Sequence, residues 1–149
     1  MSKVVAISLL VVTGVSLLGV FRFYGLAKAS QKMDNPSRED FSCPDKPNCV
    51  SSEATGSHYI EALPAGTSLT AIANGMKQLG IEIVSQDDSY IHGTHRSGLF
   101  GFVDDIQVRL PVDSNRAIAV RSASRVGHSD LGVNQKRVEA LRDLLEDRD

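Results

Sequence analysis

Apolar positions divide this chain into one long unbroken run and a series of short periodic segments. Val4 to Phe21 is eighteen residues without a charge. As a helix that run spans about 27 Å, close to the hydrocarbon thickness of a bilayer. Phe23 and Tyr24 follow where an aromatic belt would sit. The run therefore predicts an N-terminal transmembrane helix. A cleaved signal peptide is the alternative, because Ala27-Lys28-Ala29 forms an Ala-x-Ala site. Arg22 lies between run and site, and the run exceeds a usual signal core, which favours the anchor. Residues 1–29 are thus read as anchor or signal, 30–40 as a polar linker, and 41–149 as a single domain.

Within the domain the apolar spacing changes from irregular to periodic. His58 to Leu63 reads as a short strand, and the stretch before it as irregular. Thr67 is placed as an N-cap ahead of Leu69, Ile72, Ala73, Met76 and Leu79, one apolar face at helical spacing, with Gly80 as the stop. Strands follow at Ile81 to Ser85, Tyr90 to Arg96, Val103 to Leu110 and Ala117 to Ser122. Gln86 to Ser89 and Asp113-Ser-Asn115 are turns. In the third of these strands Ile106, Val108 and Leu110 face inward, with Asp105, Gln107 and Arg109 outward. A last helix carries Val138, Leu141 and Leu145 on one face, capped by Asp130 or Asn134. Short turns favour antiparallel pairing, and alternation predicts one buried sheet face and one open one. The expected fold is α+β: a two-layer sandwich, an antiparallel sheet of four to five strands with two helices on one face.

Charge narrows the functional classes. The formal net charge is −2, and removing the cations Lys3, Arg22 and Lys28 leaves −5 for the rest. A mildly acidic domain is a poor partner for nucleic acid, and the absence of Trp removes the best stacking platform for single strands. The two cysteines, Cys43 and Cys49, bracket Pro-Asp-Lys-Pro-Asn. In an exported domain they form a disulfide closing a tight loop, and in a cytoplasmic one they are reduced thiols. A metal site is disfavoured, since no further His or Cys sits at a customary spacing. The residues before Cys43 are not the small apolar set that lipid modification needs. The cysteines and the Ala-x-Ala site favour export. Arg22, Lys28 and Lys32 after the run, against Lys3 before it, favour a cytoplasmic domain.

The densest chemistry lies in Arg121 to Asn134, between the last strand and the last helix. Arg121 and Arg125, with Arg96, Ser122, Ser124, His128, Asp130 and Asn134, have the inventory of a site for a carboxylate or phosphate. The same residues also suit a structural network in which Arg121 pairs with Asp104 or Asp105 and Asp130 caps the helix. A Ser124–His128–Asp130 triad is discounted, because one short loop rarely reaches that geometry and no nucleophile elbow is present. His92 and His95 point to opposite faces of a strand, as do Asp104 and Asp105, so neither pair shares a ligand. No P-loop, dinucleotide fingerprint or zinc-protease motif occurs, and no cofactor is implied. In Gly98-Leu-Phe-Gly-Phe102, Leu99 or Phe100 is expected to plug the end of the core. If exposed, the pair would instead touch a membrane or a partner.

Four blocks carry a family resemblance: Cys43 to Ser52, His58 to Leu63, Arg96 to Asp105 and Arg121 to Asn134. Together they resemble the family known as domain of unknown function 1499. That resemblance implies one structural unit from Phe41 to the last helix, in an exported or anchored chain, and no activity. The resulting expectation is a non-enzymatic binding module at the outer face of a bacterial inner membrane. It would be single-pass with its domain in the periplasm, or cleaved and released there. Its partners would be the membrane, through the N-terminal helix, and a small anion, a lipid headgroup or an envelope protein. The alternative is an envelope hydrolase or transferase with His128 as general base and Asp104 or Asp130 orienting it.

Overall fold

Short turns between consecutive strands build one antiparallel sheet, seen here in a computed structural model that describes residues 19–146. The strands are β1 (Cys49–Ser51), β2 (Glu82–Gln86), β3 (Tyr90–Arg96), β4 (Val103–Arg109) and β5 (Ala119–Ser124). Their order across the sheet is β1-β5-β4-β3-β2, so β4 is central. Three helices accompany it: α1 (19–31), α2 (Leu69–Gln78) and α3 (Val133–Glu146). The β3–β4 hairpin (97–102) and the β5–α3 loop (125–132) lie at the same end of the sheet, because β3, β4 and β5 alternate in direction. The β4–β5 turn lies at the other end.

The inward set of each strand meets α2 and α3. Ile91, Ile106, Val108 and Val120 from the sheet pack with Ile72 and Met76 of α2 and with Val138 and Leu141 of α3. Gly93 sits in the middle of β3 because nothing larger fits. A Cβ there would lie 2.6 Å from Ile81 Cγ2, 2.9 Å from Met76 Cε and 3.0 Å from the Glu82 carbonyl oxygen.

Four local expectations are corrected. The cap of α2 is Ser68, whose hydroxyl accepts from Ala71 N at 3.2 Å, while Thr67 donates back to the Pro64 carbonyl. His58 to Leu63 is no strand. A 3-10 turn over Gly56–His58 precedes two single bridges, Ser51 with Tyr59 and Leu63 with Ile118. The edge strand falls instead on Cys49–Ser51, too short to show a period, and pairs with β5. The β3–β4 hairpin does not plug the core. Leu99 is 83% exposed, and Phe100 stacks on Phe23 of α1 at 5.6 Å, with Phe102 completing the trio.

The second sheet face, expected to be open, is covered. Residues 30–42 lie across it. Gln107 Nε2 donates to the Ser37 carbonyl at 2.9 Å, and Arg121 Nε to the Ser42 carbonyl at 2.8 Å. Ser30 Oγ accepts from Val103 N at 3.2 Å. Phe41 is buried beneath the Arg109 guanidinium, 4.4 Å from the ring centroid. Outward-facing Asp105 and Gln107 are therefore as inaccessible as the core. Cys43 and Cys49 are bonded, their Cα atoms 5.6 Å apart, which ties the end of this segment to β1.

Of the apolar run, residues 4–18 lie outside the described residues, and its last three belong to α1. Among the described residues no helix is long and apolar enough to cross a membrane.

Gly93→Ala should destabilise the domain by about 1–3 kcal/mol, the usual range for overpacking a filled core. Urea denaturation reads this directly, and an unchanged midpoint would mean that the Ile81–Met76 packing can yield.

Candidate functional site

Two adjacent carboxylates on β4 organise the polar chemistry. Alternation sends Asp104 to the helix face and Asp105 to the face covered by residues 30–42.

Asp105 is the hub of the covered face. Arg125 grips it with two parallel hydrogen bonds, Nε to Oδ2 at 2.8 Å and Nη2 to Oδ1 at 2.7 Å. His92 Nε2 donates to Oδ1 at 2.8 Å. The remaining guanidinium donors of Arg125 reach the Ser30 carbonyl, the Met33 carbonyl and Asn35 Oδ1. All five N–H groups of Arg125 are thus engaged. Burial opposes ionisation of Asp105, but the hydrogen bonds from His92 and Arg125, with the Arg125 charge, outweigh it. Its carboxyl is held below the usual carboxylate range. Arg121 lies beside this hub, donating to Gln107 Oε1 at 3.0 Å, and burial lowers its pKa.

Asp104 anchors the helix face. Arg137 Nη2 donates to Asp104 Oδ2 at 2.8 Å, and Nη1 to Asn134 Oδ1 at 2.7 Å. Ser122 Oγ donates to the same Asn134 oxygen at 2.6 Å. Asn134 Nδ2 reaches Ser124 Oγ at 3.0 Å and the Asn48 carbonyl at 3.1 Å. One buried asparagine on α3 therefore joins Asn48, just before β1, with β5 and the ion pair. His95 completes the cluster: Arg137 Nη2 approaches its Nδ1 at 3.3 Å, a contact in which the ring nitrogen accepts. Burial first, and then the Arg137 charge, lower the pKa of His95. Asp130 caps α3, its carboxylate accepting from Gly132 N at 3.1 Å and Asn134 N at 2.8 Å.

At the shared end of the sheet a cleft of about 300 Å³ opens between α1, the β3–β4 hairpin and the β5–α3 loop. Phe23, Leu26, Phe102, Val126 and Val133 form its apolar walls. Asp104, Ser124, His128, Ser129 and Asp130 supply its polar groups.

The eight residues singled out from the sequence fall into separate places. Arg121 and Arg125 lie beneath residues 30–42. Ser122, Ser124 and Asn134 belong to the network under α3. His128 and Asp130 line the cleft, joined there by Ser124. Arg96 is exposed at the end of β3, where its backbone pairs with Val103 and its side chain makes no hydrogen bond among the described residues. Arg121 pairs with neither aspartate by a hydrogen bond; Arg125 takes Asp105, and Arg137 takes Asp104. Arg137 and His92 were not anticipated. A helix-period pattern shows that Arg137 neighbours buried Val138, but not that its own head group is buried. The adjacent aspartates within an apolar strand were the available signal that two cations must approach from opposite faces. Ser124, His128 and Asp130 make no hydrogen bond to one another. Ser124 and Asp130 instead engage Asn134.

The fold is thus an α+β unit, a five-stranded antiparallel sheet with helices, carrying a buried double ion-pair network and a cleft at one end. The family described as Protein of unknown function (DUF1499) matches residues 41–145, and the chain belongs to that family. No curated protein matches the chain. Residues 30–40, which close the second sheet face, precede the matched segment.

Asp105→Asn should cost roughly 3–5 kcal/mol at neutral pH, because Arg125 then keeps a buried, uncompensated charge. The folded pKa of Asp105 lies below its unfolded value, near 3.9. Its contribution is therefore complete above that value and is lost as pH falls through the folded one. Urea titrations of both proteins should show their largest gap at pH 7 and a shrinking gap below about pH 4. Equal stabilities at pH 7 would remove Asp105 from its organising role.

Proposed function

We propose that this protein is a non-enzymatic, membrane-anchored binding module whose ligand is a lipid headgroup with part of its acyl chain. The observation that carries this reading is the cleft at the hairpin end. It sets apolar walls around a few polar groups, which is the usual make-up of a ligand pocket. Ser124, Ser129 and His128 would meet the polar end of the ligand, with Phe102 and Val126 against the chain. The engagement of Arg125 through all five donors, and of Arg121 through Nε and Nη1, counts against a free anion as the ligand. The uncharged run Val4 to Phe21 supports the anchor. The bonded pair Cys43–Cys49 supports an oxidising compartment, and so a domain outside the bacterial inner membrane. A general-base role for His128 has less support, because no side chain among the described residues orients its ring.

Native mass spectrometry of the full chain, released from nanodiscs of its host's lipids, tests the proposal. The protein should carry one additional lipid mass. Val126→Trp, which fills the cleft beside Asp104, should lose it while keeping the Asp104–Arg137 pair and a near-wild-type melting temperature. An absent adduct, or one retained in Val126→Trp, would overturn the reading.

A further inference from the structure

The hairpin end of the sheet presents apolar side chains that nothing in the fold uses. Leu99, at the tip of the β3–β4 hairpin, is 83% exposed, and Leu131, in the β5–α3 loop, is 88% exposed. Leu131 follows Asp130 of the cleft, and Leu99 lies in the hairpin between the cleft residues Ser97 and Phe102. On α1, Tyr24 is 60% exposed, and Phe23, though stacked on Phe100 of the hairpin, is still 51% exposed.

Leu131 is notable for its backbone as well. It is the one non-glycine residue with positive φ among the described residues, at 56°. That conformation is disfavoured for a side chain with a Cβ, and glycine or asparagine is its usual occupant. Flanking bonds hold it there: Leu131 N donates to Ser129 Oγ, and Gly132 N to Asp130 Oδ1. The loop thus fixes an apolar side chain in an exposed position, a cost with no return inside the molecule.

The position of α1 says what lies next to this end. Its first described residues, 19–21, are the end of the uncharged run that begins at Val4. Its remainder packs on the sheet through Ala27 and Ser30, both buried. A helix that leaves a bilayer at Arg22 therefore delivers the domain with this end against the interface. Arg22, Lys28 and Arg96 are exposed around the same end, where anionic headgroups would meet them. We infer that the β3–β4 hairpin and the β5–α3 loop dock on the lipid surface, with Leu99 and Leu131 inserted at headgroup depth. The mouth of the cleft then opens toward the bilayer. This inference rests on the anchor reading of residues 4–21, but not on a ligand being bound in the cleft.

The chain contains no tryptophan, so a single introduced one reports its own surroundings. Leu99→Trp, Leu131→Trp and Val112→Trp are made in the full chain and reconstituted in vesicles of phosphatidylcholine with one quarter phosphatidylglycerol. Val112 is even more exposed but sits in the β4–β5 turn, at the far end of the sheet. Docking predicts blue-shifted emission at positions 99 and 131 and its loss when the vesicles carry a headgroup-level spin-labelled lipid. Val112→Trp should keep its emission. Flotation of the same vesicles separates the two premises. If the protein floats and all three tryptophans stay unquenched, the docking surface is wrong and the anchor stands. If the protein does not float, the anchor and the docking fall together. Blue-shifted but unquenched emission at 99 and 131 would mean burial against protein, which also overturns lipid docking.

Discussion

The organising constraint is the pair of neighbouring aspartates in the central strand. Asp104 and Asp105 are 8% and 6% exposed, on opposite faces of the same strand. A buried carboxylate is tolerated only with a cation and hydrogen bonds around it. Each face must therefore supply a guanidinium, and each does so from a segment late in the chain: Arg137 from α3, Arg125 from the β5–α3 connection. Such pairs add little net stability over an apolar core, but they reject wrong arrangements strongly. They fix how α3 and residues 30–42 sit on the sheet.

That constraint explains why the second face does not stay wet. A bidentate Arg125–Asp105 pair leaves three guanidinium donors unmet, and all three are met by residues 30–35. Gln107 and Arg121 repeat the pattern further along with the Ser37 and Ser42 carbonyls. Polar side chains on a sheet thus serve as a template for an irregular segment whose own backbone acceptors need partners. The disulfide at Cys43–Cys49 ends this segment against β1. On the helix side Asn134 plays the corresponding part, linking three elements through one amide.

The polar run Arg121 to Asn134 is dense, but both of its arginines work as structure: Arg121 through Nε and Nη1, and Arg125 through every donor. A guanidinium with every donor engaged has no capacity left for a ligand. What remains accessible is the loop's other face, with His128, Ser129 and the exposed Leu131, together with α1 and the hairpin. The proposed binding site therefore rests on an apolar recess with a few polar groups rather than on charge, a make-up that suits an amphiphile better than a free anion.

Sequence alone determined the strand from Tyr90 to Arg96, the strand read as Val103 to Leu110 and found one residue shorter, the two amphipathic helices, and the opposite facing of Asp104 and Asp105. These follow from local periods of two and 3.6 residues, which report backbone geometry directly. It also carried the family, through four blocks of specific residues. Tertiary structure alone decided that Cys49–Ser51 is an edge strand, because three residues have no period and exist as a strand only through β5. It decided which arginine meets which aspartate, since Arg121 and Arg125 differ in reach rather than in type. It decided that the second face is closed, because a backbone carbonyl seeking a donor leaves no mark in the amino-acid sequence.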